Sequence, residues 1–416
     1  MSDPTAVVHG ANELVVGPDE SGDDGRLDRY EDGAVAVLDG TVAAVGPTDE
    51  VTREYPPENA AHAVDATGRA VVPGFVDAHT HALFAGDRSD EFAAKLRGKS
   101  YADILAEGGG ILRTVRAVRE ADDATLVDNL LGHLDTMVAH GTTTVEVKSG
   151  YGLDRETELR MLDVIARADE RHPVDVVPTF MGAHAVPEGR DAGEYADAVV
   201  EDQLPAVAAQ GVARFCDVFC EEGVFSVEQS RRVLEAGREA GLTPKVHAEE
   251  LSHLGGARLA ADLGAASADH LLHATDEDAV ALAGAGVTPV LLPGTAFGLG
   301  GEYADPERFR AAGAPPAVAT DFNPNCHSHS MGFATSLACV EMGMTPAAAL
   351  VAATDGGARA LDFADGRGTL RPGAPADLAV LDAPTHVHLP YQYGVNVVGT
   401  VLKGGRPVAG TGSERR

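Results

Sequence analysis

The chain has no tryptophan, only four cysteines in 416 residues, few lysines and no long apolar run. Each shortage removes a class of function. No stretch approaches the ~18 uninterrupted apolar residues that a membrane helix requires, so no membrane partner is expected. The start, Met1-Ser-Asp-Pro-Thr, carries neither a basic segment nor an apolar core and does not read as a secretory signal. A cytoplasmic protein is expected. Cys216, Cys220, Cys326 and Cys339 form no CxxC pair, and a disulfide framework would be unusual in a cytosolic chain of this size. Cys216, Cys220 and Cys339 read as buried, inert thiols. The lysines are Lys95, Lys99, Lys148, Lys245 and Lys403, and 64 Asp plus Glu against 32 Lys plus Arg give a formal net charge of −32. A field of that sign repels phosphate backbones, which excludes nucleic acid as a partner.

What is present organises into three segments. The length suits one α/β barrel of ~250 residues plus a smaller domain. Near the start, Gly33-Ala-Val-Ala-Val-Leu-Asp-Gly-Thr-Val-Ala-Ala-Val-Gly reads as two strands joined at Asp39-Gly40, the signal of a type I′ hairpin. Near the end, Ala376–Asp382 and Val397–Val408 read the same way. Neither segment has enough strands for a core of its own. Residues 1–69 and 370–416 are therefore expected to form the two halves of one small β-sandwich. Gly17 to Gly25 is expected to be an acidic loop. Residues 70–369 alternate strand and helix patterns, as a parallel (β/α)8 TIM barrel requires. Strands are expected near Gly74–His81, Thr142–Lys148, Val174–Phe180, Arg214–Cys220, Pro244–Glu249, Ser267–Leu271, Val287–Leu292 and Pro316–Asp321. Ser226–Ala240 and Asp276–Gly284 have the helical apolar spacing of crossovers.

In such a barrel, chemistry sits at the C-terminal ends of the strands. The first strand ends in His79-Thr-His81, and residues two apart on a strand point to the same side. An isolated His-x-His pair is more often a surface or core feature than a metal site. Here, however, the fifth strand ends Lys245-Val-His247-Ala-Glu-Glu250, the sixth Ala268-Asp-His270 and the eighth Ala-Val-Ala-Thr-Asp321. Packing alone gives little reason to put ligand-type residues at four apolar strand ends. Neutral imidazole suits zinc and ferrous iron equally, so both stay open.

This pattern resembles the amidohydrolase superfamily. Members with two metals bridge them by a carboxylated lysine from the fourth strand. Here that strand ends Asp217-Val-Phe-Cys220-Glu221-Glu222 without lysine. The resemblance thus implies one divalent metal on His79, His81, His247 and Asp321, with Cys220 or Glu221 as the lesser bridging alternative. Longer strings resemble the imidazolonepropionase family in particular. They include His79–Phe92, Gly108-Gly-Gly-Ile-Leu-Arg-Thr-Val, Glu146-Val-Lys-Ser-Gly-Tyr151-Gly-Leu, Thr179-Phe-Met-Gly-Ala-His184-Ala-Val-Pro, Phe219–Ser226 and Asp321-Phe-Asn323-Pro. The likeness spans the barrel and, more loosely, both flanking segments.

The family's reaction is hydrolysis of 4-imidazolone-5-propanoate to N-formimino-glutamate, by a hydroxide generated on the metal. The resemblance casts Arg88 as the carboxylate grip, with Tyr151 and His184 on the tail or ring. Asn323, Asn325 and Cys326 fall in the family's ligand-binding loop. Asp321 would take the water's proton. His270 would hold Asp321 or stabilise the tetrahedral oxygen, and Glu250 would orient the ring or protonate the leaving nitrogen. Bland readings exist for each: Arg88 a surface arginine, Gly-Tyr-Gly a turn, Glu250 a helix N-terminal carboxylate.

The loop departs from the family where Asn325 and Cys326 replace a glycine and a hydroxyl residue. Asn tolerates left-handed backbone almost as glycine does, and a thiol is a poorer hydrogen-bond donor than a hydroxyl. His327 and His329 read as a polar loop. His133, His140, His172, His253, His273, His386 and His388 show no converging partners and are expected on helices or the surface. The runner-up is a one-metal deaminase of a cytosine-like or guanine-like base. A non-catalytic scaffold is disfavoured because all the ligands are present, and a nucleotide cofactor because Gly108-Gly-Gly lacks the dinucleotide-binding context. A small-molecule substrate and a homodimer are expected. The charge balance is that of a protein that folds in concentrated salt.

Overall fold

Short β-branched runs bounded by polar turns build a parallel sheet, and helices return the chain between its strands. The computed structural model describes residues 3–19, 25–99, 103–104 and 107–410. Its eight barrel strands are Phe75–Asp77, Thr142–Lys148, Asp175–Ala183, Phe215–Cys220, Thr243–Ala248, Ser267–His270, Thr288–Leu291 and Ala317–Val318. Each pairs in parallel with the next in sequence. All eight expected strands are present.

The first and last strands stop short of their expected ends. Beyond Asp77 and Val318 the backbone closes the barrel instead: Thr80 bridges Phe322, His81 N–H donates to the Phe322 carbonyl at 2.9 Å, and Asp321 N–H donates to the His79 carbonyl at 3.1 Å. The seam that shuts the barrel therefore sets His79 and His81 against Asp321.

The crossover helices start where the sequence signals them. Val227–Glu239 opens on a capping box between Ser226 and Gln229. Asp276–Ala285 opens on Thr275 and Asp278 and ends at a left-handed Gly286.

Both chain ends meet in the second layer. One sheet orders Thr41–Pro47, Gly33–Leu38, Ala6–Ala11 and His62–Asp65. The other orders Arg406–Gly410, Val398–Lys403, Leu378–Leu381, Ala70–Pro73, Glu13–Pro18 and Leu27–Tyr30. Val8, Leu14, Val35, Val37, Val71, Leu378, Val380 and Leu402 fill the space between them. The Asp39-Gly40 turn has φ of 47° and 83°, the left-handed pair that a type I′ hairpin needs. Ala70–Pro73 lies in the sandwich, so the chain passes into the barrel at Gly74. There a Cβ would come within 2.4 Å of Thr143 Oγ1, and only glycine fits. Of the expected acidic loop, residues 20–24 lie outside the described residues.

Among the described residues no helix is long and apolar enough to cross a membrane. The net charge of −32 leaves many acids without a basic partner. Exposed pairs such as Arg155–Asp202 and Arg310–Glu307 are weak. They do not offset the repulsion, but salt does: the screening length falls from ~10 Å at 0.1 M to ~3 Å at 1 M. The melting temperature is expected to climb between dilute buffer and molar KCl. A melting curve unmoved by salt would refute this.

Candidate active site

His79 sits at the base of the site with its side chain fully enclosed. Its Nδ1 meets Asp269 Oδ2 at 2.6 Å. A carboxylate only accepts, so the ring proton lies on Nδ1 and the Nε2 lone pair faces inward. That Nε2 is buried without a hydrogen-bond partner, 3.6 Å from Asp321 Oδ1, which is likewise unpartnered. His81 Nε2 is 3.7 Å from the same oxygen and 3.3 Å from His247 Nε2. His247 Nδ1 faces Asp217 Oδ2 at 3.0 Å, which turns its Nε2 inward too. Three imidazole nitrogens and one carboxylate oxygen thus converge, and two nitrogens 3.3 Å apart have room for only one proton between them.

Burial foremost, then neighbouring positive charge, holds His79, His81 and His270 well below the ordinary histidine range. Neutral rings with lone pairs aimed at a buried carboxylate oxygen are the donor set a divalent cation takes. The residues fit such an ion. His270 widens the cluster, since it groups with His79 and His247 as closely as His79 and His81 group with Asp321.

The polar partners differ in part from the sequence reading. Asp321 is held by the Thr295 hydroxyl, which donates to Oδ2, and not by His270. His270 Nε2 instead lies 3.5 Å from Glu250 Oε2. Burial, reinforced by Asp321 and Glu221, pushes Glu250 up to about 8. Glu221 does not bridge toward the cation site, because its carboxylate accepts from the backbone of Glu222 and Leu251 and from the Ser252 hydroxyl. It braces the loop that carries Glu250. Backbone φ values of 50° at Asp321 and 78° at His270 are left-handed in non-glycine residues, the kind of strain that functional loops retain.

Tyr151 and His184 join the same cluster. His184 stacks on His81 with ring centroids 4.7 Å apart, and Tyr151 lies 5.3 Å from His184. His184 Nδ1 donates to the Gly150 carbonyl at 3.0 Å, leaving Nε2 as an acceptor, and burial brings its pKa down to about 3. Buried Glu158 shapes the Tyr151 loop by accepting from the backbone N–H groups of Gly150, Gly152 and Leu153 at 2.7–2.9 Å.

Arg88 lines a cavity of about 470 Å³ with Phe84, Phe92, Phe297, Asn325 and Cys326. It is no surface arginine: its side chain is 8% exposed and Nε donates to Glu91 at 2.8 Å. Asn323 is taken up by its own loop, donating to the Asp321 carbonyl and accepting from the N–H groups of Asn325 and Cys326. With Asn323 capping the loop, Asn325 keeps an ordinary φ and its left-handed tolerance is not called on. Asn325 accepts from Lys95 Nζ at 2.8 Å. The Cys326 thiol is turned to the Thr320 carbonyl, and burial raises its pKa.

Two groups of histidines depart from expectation. His327 and His329 are not simply a polar loop: with His133 they pack around Phe322, and His133 Nδ1 meets His329 Nε2 at 3.1 Å. His386 is buried on Glu13, with backbone N and Nδ1 at 2.7 and 2.9 Å from one carboxylate oxygen.

Sequence reading missed Asp217, Asp269, Thr295 and a group of buried charges, Glu146, Lys148 and Lys245. The signal was there: charged residues inside otherwise apolar strands, and two of a scarce set of lysines among them.

Barrel, seam and ligand cluster together define a metal-dependent hydrolase of the amidohydrolase class. The sequence profile of the Amidohydrolase family matches residues 70–408. Solved structures of that architecture superpose over the whole chain. An adenosine deaminase from Xanthomonas campestris with bound zinc gives a TM-score of 0.73 at 22% identity, covering 98% of this chain and 94% of that one. A triazine hydrolase variant gives 0.77 at 17% identity, covering 98% and 95%. Within the class, the chain belongs to the imidazolonepropionase family. It is 75% identical over 409 residues to the imidazolonepropionase of Haloarcula marismortui, covering 98% of this chain and 97% of that one. It is 67% identical to that of Halobacterium salinarum, covering 99% and 100%. The profile of an imidazolonepropionase-like composite domain of bacteria matches residues 33–57.

Proposed function

We propose that the chain hydrolyses 4-imidazolone-5-propanoate to N-formimino-L-glutamate in histidine degradation, with one divalent cation, zinc or iron, on His79, His81, His247 and Asp321. The observation that carries this is the convergence of those four ligand atoms in a chain 75% identical to an imidazolonepropionase. The cation supplies acidification of the attacking water and polarisation of the ring carbonyl. Glu250, at about 8, keeps its proton at neutral pH.

The residues divide the work. Asp321 takes the proton of the water that adds to the ring carbonyl. Glu250 gives a proton to the ring nitrogen as its bond to that carbon breaks, leaving a carboxylate and the open formimino group. His270, beside Glu250, donates toward the oxygen that gains charge. Tyr151 and His184 hold the ring, and Arg88 grips the propanoate carboxylate from the cavity wall beside Asn325 and Cys326.

A deaminase of a neutral base would have no carboxylate for Arg88. Replacing it with alanine is therefore expected to raise KM for the propanoate substrate by ~10-fold or more, as loss of a charged hydrogen bond of about 1.5–3 kcal/mol implies, and to leave kcat within a few-fold. An unchanged KM removes Arg88 as the anchor. The overall test follows loss of ring absorbance on addition of imidazolone propanoate, with cytosine and guanine alongside and a chelated control. Turnover of a base but not of the imidazolone would replace this reading with the deaminase. The homodimer and cytoplasmic location belong to the same proposal, and light scattering that returns one chain's mass would remove the first.

A further inference from the structure

Below the imidazoles, five charged side chains are shut inside the barrel, every one fully enclosed. Lys148, from the second strand, has Nζ 2.7 Å from Asp217 Oδ2, 2.8 Å from Glu146 Oε2 and 3.9 Å from Asp269 Oδ2. Lys245, from the fifth, has Nζ 2.9 Å from Glu146 Oε1 and 3.7 Å from Asp269 Oδ2, and donates to the Ala78 carbonyl at 2.8 Å. Glu146, shared by both lysines, also accepts from Thr179. The acids reached from below are the two that meet the ligand histidines above: Asp269 touches His79 and Asp217 touches His247. Ala78 immediately precedes His79, and Lys245 lies two residues from His247 on the same face of one strand.

Packing alone does not account for this arrangement. Burying paired charges is often no more stabilising than filling the space with apolar side chains. The chain is also sparing with lysine, and the three outside this group sit against Asn325, Glu107 and the pair Asp175 and Asp377. We propose that Lys148 and Lys245 are positioning residues of the metal centre, fixing the Asp217 and Asp269 carboxylates so that His247 and His79 present Nε2, and not Nδ1, to the cation. The lysines touch neither substrate nor cation. They act through the carboxylates that meet the imidazoles: Lys148 through Asp217 at 2.7 Å and Asp269 at 3.9 Å, Lys245 through Asp269 at 3.7 Å. This rests on the metal centre proposed above but not on the identity of the substrate.

Two measurements test it, neither needing turnover. In metal-free wild-type protein, 15N shifts of the His79 and His247 rings are expected to place the proton on Nδ1; a proton on Nε2 in both overturns the proposal. The second measurement is cobalt(II) binding, read by visible absorbance and chelator competition. It compares wild type with Lys148→Met and with Lys148→Met/Asp217→Asn, in which the charges are removed as a pair so that the fold is not left with a lone buried carboxylate. Both variants are expected to bind cobalt 10–100-fold more weakly, the range typical for groups that orient metal ligands, with an altered spectrum. The double variant is expected to recover melting temperature but not affinity. Wild-type affinity and spectrum in the double variant would reduce the lysines to structural ion pairs. Wild-type protein that fails to bind cobalt would remove the metal centre itself, a separate result.

Discussion

Asp321→Asn is expected to leave a folded barrel that turns over imidazolone propanoate on the order of 10³-fold more slowly, the scale of a lost general base. The substitution leaves shape and packing alone and acts on the proposed base and cation ligand. Asparagine has the same shape, tolerates the left-handed backbone that Asp321 adopts at φ 50°, and can still accept from Thr295 through its amide oxygen. The amide nitrogen must then face His79 and His81, where Oδ1 now lies 3.6 and 3.7 Å from their Nε2 atoms. A donor replaces an acceptor at the point where water must lose its proton, and one negative charge leaves the site. The variant should keep the wild-type circular dichroism and melting temperature while kcat collapses. Turnover within tenfold of wild type would take the role of base away from Asp321.

The features legible in the sequence were those written in local periodicity. His79 and His81 share a face because strand side chains alternate, and the capping residues of Val227–Glu239 lie within one turn of its start. What stayed hidden were pairings between distant strands. Asp269 was visible as the residue before His270, but alternation puts neighbours on opposite faces, and nothing local reveals that a φ of 78° at His270 brings both toward the site. Thr295 lies 26 residues from Asp321, on a helix that packs beneath it only once the barrel closes. His133 and His329 are separated by 196 residues and meet around Phe322 for the same reason. The proposed metal ligands could be read because their strand ends announce them, whereas the groups proposed to orient them are brought together by barrel closure.

Glu250 carries the other large effect, and its sign follows from its surroundings. Burial, with Asp321 and Glu221 nearby, pushes its carboxyl up to about 8. The group is therefore protonated below that pH, ready to donate to the departing nitrogen, and loses the proton as pH rises through it. At fixed saturating substrate, kcat is expected to hold to about pH 8 and then fall with unit slope. Glu250→Gln keeps a hydrogen-bond donor for the ring but cannot release a proton, so KM should change little while kcat drops by about 10²–10⁴-fold. The alkaline limb should vanish from what activity remains. If the variant keeps the same alkaline limb, another group supplies the proton.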